Sequence, residues 1–205
     1  MNIAVLASGG GSNLRAILNA IQKGTIPGNI TLVVSNNSTA GALEIARAHN
    51  IPAHHCSQLR YPSEEAFADA LARLFDQHGV TLIALAGYMK KIPSVVIQRY
   101  RNRILNVHPA LLPAYGGKGM YGIRVHQAVI ASGEKVSGAT VHIVDEEYDR
   151  GPIVMQKRID VHPDDTPESL AKRVLAVEHE IYPMAIKAFV EGRVKIEGRK
   201  ATVQS

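Results

Sequence analysis

An α/β fold, doubly wound around a mostly parallel twisted sheet with an antiparallel C-terminal addition, is what this sequence of 205 residues predicts. Three observations predict it. Short β-branched apolar runs alternate with helical patterns as far as residue 131. A glycine loop, Ser8-Gly9-Gly10-Gly11-Ser12-Asn13, separates the first strand from the first helix. From residue 137 the period changes to two strand-like runs joined by a polar turn, which reads as an antiparallel pair added to a parallel sheet.

Element by element, residues 3–7 form a strand and 14–22 a helix. Residues 30–34 form the second strand, 42–49 a short helix and 52–55 a weaker third strand. Ser63 caps the next helix without a capping box, and Glu64 and Glu65 suit the dipole of its first turn. Ala66, Phe67, Ala70, Leu71, Leu74 and Phe75 recur on one face of that helix, and Gly79 ends it. Residues 81–86 are a near-continuous apolar strand of the kind buried on both faces. Pro93 opens a helix through Tyr100, and residues 103–107 make the next strand. A helix over 125–131 ends at Gly133, strands follow over 137–144 and 153–161, and Thr166 caps a long helix towards Val190. A single tail strand is expected at 194–196. With no internal repeat or low-complexity linker, residues 1–205 are expected to form one catalytic domain.

Composition narrows the function classes. Hydrophobic residues make up 46% and charged residues 20%, which is ordinary for a globular chain and too apolar for disorder. No apolar stretch is long enough for a membrane span, and the N-terminus enters a strand without the basic region of a signal peptide. A cytoplasmic protein with no membrane partner is expected, as a monomer or a homodimer. The one cysteine excludes an intrachain disulfide and a cysteine zinc cluster, and the nine histidines lack convincing ligand spacing, so no metal is expected. The net charge of +5 invites an anionic partner. The basic residues are scattered, and the concentrations at 99–103 and 195–200 carry no nucleic-acid signature. Small anionic substrates, and no nucleic acid, are expected.

The most informative tripeptide is Asn106-Val107-His108, fixed to Pro109 at the end of an apolar run. Pro109 bars helix at His108, and alternation along a strand points Asn106 and His108 the same way. A carboxamide and an imidazole then stand together at a strand's exit, where open α/β sheets place ligands. Both can hydrogen-bond an oxygen as it gains charge, and the ring can move a proton near neutral pH. A lone histidine in an apolar run is more often a satisfied core residue. Two polar side chains on one face of a central strand are costly, however, unless they meet a ligand or each other.

Three other segments bear chemistry. The glycine loop brings backbone N–H groups and a helix N-terminus to an anion. The third glycine of the dinucleotide fingerprint would fall at Leu14, Asn36-Asn37 stands where a ribose-binding acid would follow strand two, and there is no Gly-Lys-Ser/Thr ending. A single terminal phosphate fits better; the bland reading is a plain turn with Ser12 as cap. In the acidic turn 144–152 one carboxylate is expected to hold the His108 ring and raise its pKa. The residues do not choose among Asp145, Glu146, Glu147 and Asp149, although the Gly151-Pro152 turn favours Asp149. Residues 85–92, Leu-Ala-Gly-Tyr-Met-Lys-Lys-Ile, end the most buried strand in a glycine turn whose apolar side chains suit a flat aromatic ligand, or ordinary core packing.

Taken in order, these segments resemble the phosphoribosylglycinamide formyltransferase family, the folate-dependent glycinamide ribonucleotide transformylases. The resembling residues are 3–13, Ile-Ala-Val-Leu-Ala-Ser-Gly-Gly-Gly-Ser-Asn; 85–89, Leu-Ala-Gly-Tyr-Met; and 106–113, Asn-Val-His-Pro-Ala-Leu-Leu-Pro. They continue with 138–144, Gly-Ala-Thr-Val-His-Ile-Val; 149–152, Asp-Arg-Gly-Pro; and 178–183, Glu-His-Glu-Ile-Tyr-Pro. The resemblance implies direct transfer of a formyl group from 10-formyltetrahydrofolate, the cosubstrate, to the amine of the ribonucleotide. It implies Asn106, His108 and Asp149 as the catalytic trio, with Asn106 and protonated His108 on the oxyanion and an ordered water assisting proton transfer. Gly11, Ser12 and Asn13 look like the phosphate cradle, and Glu178 like the group that holds the ribose hydroxyls or the amine end. Met89, Lys90, Lys91 and Ile92, with Asn106, Val144 and Asp145, look like the folate pocket. Thr140 and His142 match family positions and would support the trio from behind. The loop 114–123 is longer and glycine-richer than in some members, and Glu64 stands where some carry a basic residue near the folate tail, leaving Lys90 as the nearby cation.

Two rivals share the core. A formyltetrahydrofolate hydrolase would use the same trio with water as acceptor, and a methionyl-tRNA formyltransferase would need a C-terminal RNA-binding domain. The hydrolases usually carry an extra N-terminal regulatory domain; with a strand starting at Ile3 and the sequence ending at Ser205, both rivals are expected only as stripped-down versions. A non-catalytic nucleotide- or RNA-binding module would explain the basic charge but not the Asn106/His108 pair.

Overall fold

An unbroken apolar run must be buried on both faces of a sheet, and the first strand meets that requirement. In a computed structural model that describes residues 1–204, Ile3, Ala4, Val5 and Leu6 of β1 (Asn2–Leu6) are wholly buried. β1 pairs in parallel with β2 (Asn29–Ser35) on one side and β4 (Leu82–Leu85) on the other. β3 (Ala53–His55) is parallel to β2, and β5 (Ile104–His108) is parallel to β4. The strand order therefore reverses at β1, which leaves a switch point beside its C-terminal end.

Four helices lie between these strands: α1 (Ser12–Gln22), α2 (Gly41–Ala48), α3 (Glu64–Gln77) and α4 (Ser94–Arg99). On α3 the residues buried are Phe67, Ala68, Leu71 and Phe75, a stripe at helical spacing, while Ala66, Ala70 and Leu74 at its margin are half-buried. Each wholly buried large side chain on such a stripe contributes roughly 1.5–3 kcal/mol of transfer free energy. Ser63 caps α3 as expected, its hydroxyl accepting from Ala66 N–H at 3.2 Å.

The chain divides into two compact units, Met1–Asn106 and the part from Val107 onward. The second carries α5 (Ile123–Ala131), β6 (Val136–Ile143), β7 (Ile153–Asp160), α6 (Pro167–Val190), β8 (Val194–Glu197) and β9 (Lys200–Val203). β6 and β7 are antiparallel with Thr140 opposite Gln156, the expected change of pairing. The sheet order is β3-β2-β1-β4-β5-β6-β7, so the sheet is mostly parallel with an antiparallel addition. Thr166 and Ser169 open α6 with a reciprocal box: the Thr166 hydroxyl accepts from Ser169 N–H at 3.2 Å and the Ser169 hydroxyl from Thr166 N–H at 3.0 Å. No helix among the described residues is long and apolar enough to cross a membrane.

The single tail strand expected at 194–196 is half of a hairpin, because Gly198 takes φ +59 and turns Lys200–Val203 back onto it. Arg199 at that turn donates to the Arg150 carbonyl and approaches Asp145 Oδ2 at 3.4 Å, which fastens the acidic loop from outside. The loop's two ends are also tied to each other, Ile143 N–H donating to the Pro152 carbonyl at 2.9 Å. That closure requires glycine at 151, since a Cβ there would stand 1.8 Å from the Ile143 carbonyl oxygen. Gly151→Ala is expected to cost about 2–3 kcal/mol. In thermal unfolding this lowers Tm by roughly 4–12 °C at 2–4 °C per kcal/mol for a chain of this size. Gly9→Ala, where a Cβ meets nothing within 4 Å, leaves Tm nearly unchanged.

Candidate active site

β5 presents Asn106 and His108 two residues apart, with Val107 between them on the opposite face. Asn106 is half-buried and His108 is buried. The ring of His108 has one nitrogen committed to the main chain and the other facing a carboxylate. Nε2–H donates to the Tyr115 carbonyl at 2.8 Å, which fixes the neutral tautomer and leaves Nδ1 without a hydrogen. Nδ1 faces Asp149 Oδ2 at 3.7 Å.

Asp149 is therefore the carboxylate, of the four in the acidic turn, that reaches His108. Its φ of +55 is one that aspartate tolerates better than most residues. Its other oxygen, Oδ1, lies 3.4 Å from Nε2 of His142, and Oδ2 also accepts from Gly117 N–H at 2.9 Å. His142 is oriented as His108 is, by a backbone carbonyl: its Nδ1–H donates to Ile143 at 2.9 Å. One carboxylate thus stands between two imidazoles, each held by the main chain.

The electrostatics at His108 set burial against the carboxylate. Burial dominates at His108 and pushes its pKa below 6.5; Asp149 and the Tyr115 carbonyl pull it up, and His142 pushes it down again. The expected lift from Asp149 is present, but it does not exceed the cost of burying the charged ring. The net direction favours the neutral ring in the free protein. At Asp149 burial alone would raise the carboxyl. The neighbouring His142, the neighbouring His108 and the Gly117 N–H outweigh it and hold the group below its ordinary 3.8. His126 on α5 is a third buried imidazole, depressed first by burial and then by His108.

Thr140 and Gln156, opposite one another on β6 and β7, hold the segment that follows His108. The Thr140 hydroxyl donates to the Ala110 carbonyl at 2.6 Å and accepts from Leu112 N–H at 3.1 Å. Gln156 Nε2 donates to the Leu112 carbonyl at 2.8 Å and to Thr140 Oγ1 at 2.9 Å. Thr140 and His142 share a face of β6, so they repeat the Asn106/His108 pattern of buried polar residues two apart in an apolar strand. That pattern is the signal that marks them in the sequence. Gln156, Tyr115 and Gly117 carry no such signal.

In the first unit the glycine loop leads straight into α1. The helix starts at Ser12, two residues earlier than its apolar pattern suggests, with Gly11 at φ +80 and no side-chain cap. Ser12 lies inside the helix, so the plain-turn reading with Ser12 as cap does not describe this loop. A Cβ at Gly11 would stand 2.9 Å from the Ala42 Cα, so only glycine brings the loop this close to α2. The first turn of α1 has no acidic residue, which leaves its positive end without a neighbouring carboxylate. Ser12 is exposed and Asn13 is 6% exposed. Ser8 joins the loop to the turn after β4: its N–H donates to the Gly87 carbonyl at 3.0 Å, and its hydroxyl accepts from Met89 N–H at 2.8 Å. Sequence reasoning did not single out Ser8 or its partner Asn36.

The remaining predicted residues divide by unit. Met89, Lys90 and Lys91 are exposed after β4, and Ile92 is buried in the core of the first unit. Val144 and Asp145 are half-buried at the start of the acidic loop of the second. Glu178 is buried on α6, one turn before the buried Tyr182, whose hydroxyl is pushed up by burial and by this carboxylate. No cluster of His, Cys, Asp and Glu side chains among the described residues could hold a metal ion.

The profile of the formyl transferase family matches residues 1–186, across both units. The chloroplastic phosphoribosylglycinamide formyltransferase of Arabidopsis thaliana is 46% identical over 94% of this chain and 66% of its own length. The chain thus spans just under two thirds of that plant relative. The phosphoribosylglycinamide formyltransferase of Escherichia coli K12 is 36% identical over 98% of this chain and 92% of its own. Among solved structures, glycinamide ribonucleotide transformylase 1 of Symbiobacterium toebii superposes with a TM-score of 0.94 at 43% identity, covering 100% of this chain and 94% of that one. A formyltetrahydrofolate deformylase of Pseudomonas syringae superposes at 0.90 with 25% identity, covering 100% and 66%. By sequence profile, by identity across both units and by fold, the chain belongs to the formyl transferase family.

Proposed function

We propose that this protein transfers the formyl group of 10-formyltetrahydrofolate to the amine of 5-phosphoribosylglycinamide, giving formylglycinamide ribonucleotide and tetrahydrofolate in purine synthesis. The observation that carries this reading is the buried pairing of His108 with Asp149 at the end of the strand that also bears Asn106. The substrate amine is itself the nucleophile, so the protein needs a donor for the oxyanion and a base, not a nucleophilic side chain.

As the amine nitrogen bonds the formyl carbon, the carbonyl oxygen takes up the electron pair and the Asn106 amide N–H donates to it. His108, neutral in the free protein, accepts the proton that the amine releases at Nδ1, its nitrogen without a hydrogen. The imidazolium so formed faces the Asp149 carboxylate and adds positive charge beside the oxyanion. When the carbon–N10 bond breaks, the same proton passes to N10, directly or through an ordered water, and the carbonyl re-forms. No net proton is gained or lost.

Gly11, Ser12 and Asn13 receive the ribonucleotide phosphate on the uncapped N-terminus of α1. Glu178 holds the ribose hydroxyls or the amine end. Met89, Lys90, Lys91 and Ile92, with Val144 and Asp145, bind the folate. The substrates are small molecules and the setting is the cytoplasm, with no role for nucleic acid. A second reading, hydrolysis of the formyl group, is favoured by the likeness to the deformylase.

Folate product formation separates the two readings. Turnover of 10-formyltetrahydrofolate that requires the ribonucleotide is the expected result, and equal turnover without it identifies water as the acceptor. Asn106→Ala is expected to lower kcat by about 10²–10³ through loss of the oxyanion donor. His108→Ala is expected to lower it by about 10²–10⁴, with ribonucleotide affinity little changed in both variants. Because the base form of His108 is required and its pKa lies below 6.5, kcat/KM should rise with pH along an acid limb centred below 6.5 and then level off.

A further inference from the structure

Tyr115 has two ends with different neighbours. Its carbonyl accepts from His108 Nε2, and the residue also lines a cavity of about 190 Å³ in the second unit. Tyr115 sits at φ +55, a backbone region that a bulky residue rarely occupies. The rest of the wall includes Leu111, Val129, Glu134, Ser137 and Arg158.

Three features give this cavity the chemistry of a binding site. Ser137 is 2% exposed, and its hydroxyl has no hydrogen-bond partner among the described residues. Native proteins seldom leave such a group unpaired, and a ligand in the cavity would pair it. Arg158 makes no ion pair among the described residues. Glu134 has only a 3.4 Å contact from the Tyr115 hydroxyl, whose proton is drawn to Ser132 Oγ at 2.5 Å because Ser132 spends its own on the Val129 carbonyl. One cation and one anion therefore border the same small space without neutralising each other. Leu111 and Val129 supply an apolar wall.

We propose that this cavity binds a small zwitterion, a carboxylate and an ammonium on a short aliphatic body such as an aliphatic α-amino acid. Arg158 and the Ser137 hydroxyl take the carboxylate, Glu134 takes the ammonium, and the aliphatic body lies on Leu111 and Val129. The occupant touches Tyr115, so its binding reaches the Tyr115 carbonyl and through it the tautomer and orientation of His108. The site is thus an effector site for whatever reaction His108 serves.

The test is a titration of the 15N-labelled full-length protein with L-valine, followed by NMR. Saturable shifts of the Tyr115, Glu134 and Ser137 amides and of the His108 ring are expected. Isovalerate, which lacks the ammonium, and isobutylamine, which lacks the carboxylate, should bind at least about tenfold more weakly. Arg158→Ala and Ser137→Ala, each with an otherwise unchanged spectrum, should also weaken valine at least about tenfold. No saturable shift with valine would overturn the proposal. So would equal binding of isovalerate or isobutylamine, or unaltered affinity in both variants.

Discussion

The carboxylate of Asp149 between two imidazoles is the constraint on which the second unit of this molecule turns. A carboxylate this far from solvent is costly unless it is paired and hydrogen-bonded. Here it meets His108 at 3.7 Å, His142 at 3.4 Å and the Gly117 N–H at 2.9 Å. Those partners outweigh burial and keep the group ionised. The same charge partly offsets the cost of burying His108, and on the proposed mechanism it would face the ring when that ring takes up a proton. A base that is easily protonated would be occupied before substrate arrived; one with no counter-charge could not hold the proton.

Much of the surrounding structure serves to put that carboxylate in place. Gly151 lets the acidic loop close on the Ile143 carbonyl, and Arg199 from the terminal hairpin holds Arg150 and Asp145. Thr140 and Gln156 pin the chain after His108. The loop 114–123 supplies two backbone contacts: the Tyr115 carbonyl to His108 and the Gly117 N–H to Asp149. A segment without an obvious catalytic side chain thus fixes a tautomer and stabilises a charge.

What could be read in the sequence follows from how local each cause is. β1, β4 and β5 were legible because a continuous apolar run has few alternatives, and Ser63 and Thr166 because caps act within one turn. Asn106 and His108 were legible because strand alternation and Pro109 set their direction. Asp149 was favoured over its neighbours by the Gly151-Pro152 turn alone, and the contact that distinguishes it spans 41 residues of chain, beyond any local pattern. β9 was missed because its residues, Lys-Ala-Thr-Val, carry little apolar signal and its turn depends on Gly198. The extent of burial at His108 is no more local. The residue types show that a carboxylate is available, but how deeply the ring is buried is a property of the whole unit.

The pairing of His108 with Asp149 is tested most directly by NMR titration of the His108 ring in the wild-type protein and in Asp149→Asn. That replacement keeps the side chain's size and removes its charge. The account predicts that the wild-type ring titrates below 6.5 and that the variant ring titrates lower still, since burial then acts without the carboxylate that opposes it. An unchanged or raised His108 pKa in Asp149→Asn would show that Asp149 does not govern the ring, and would contradict the account.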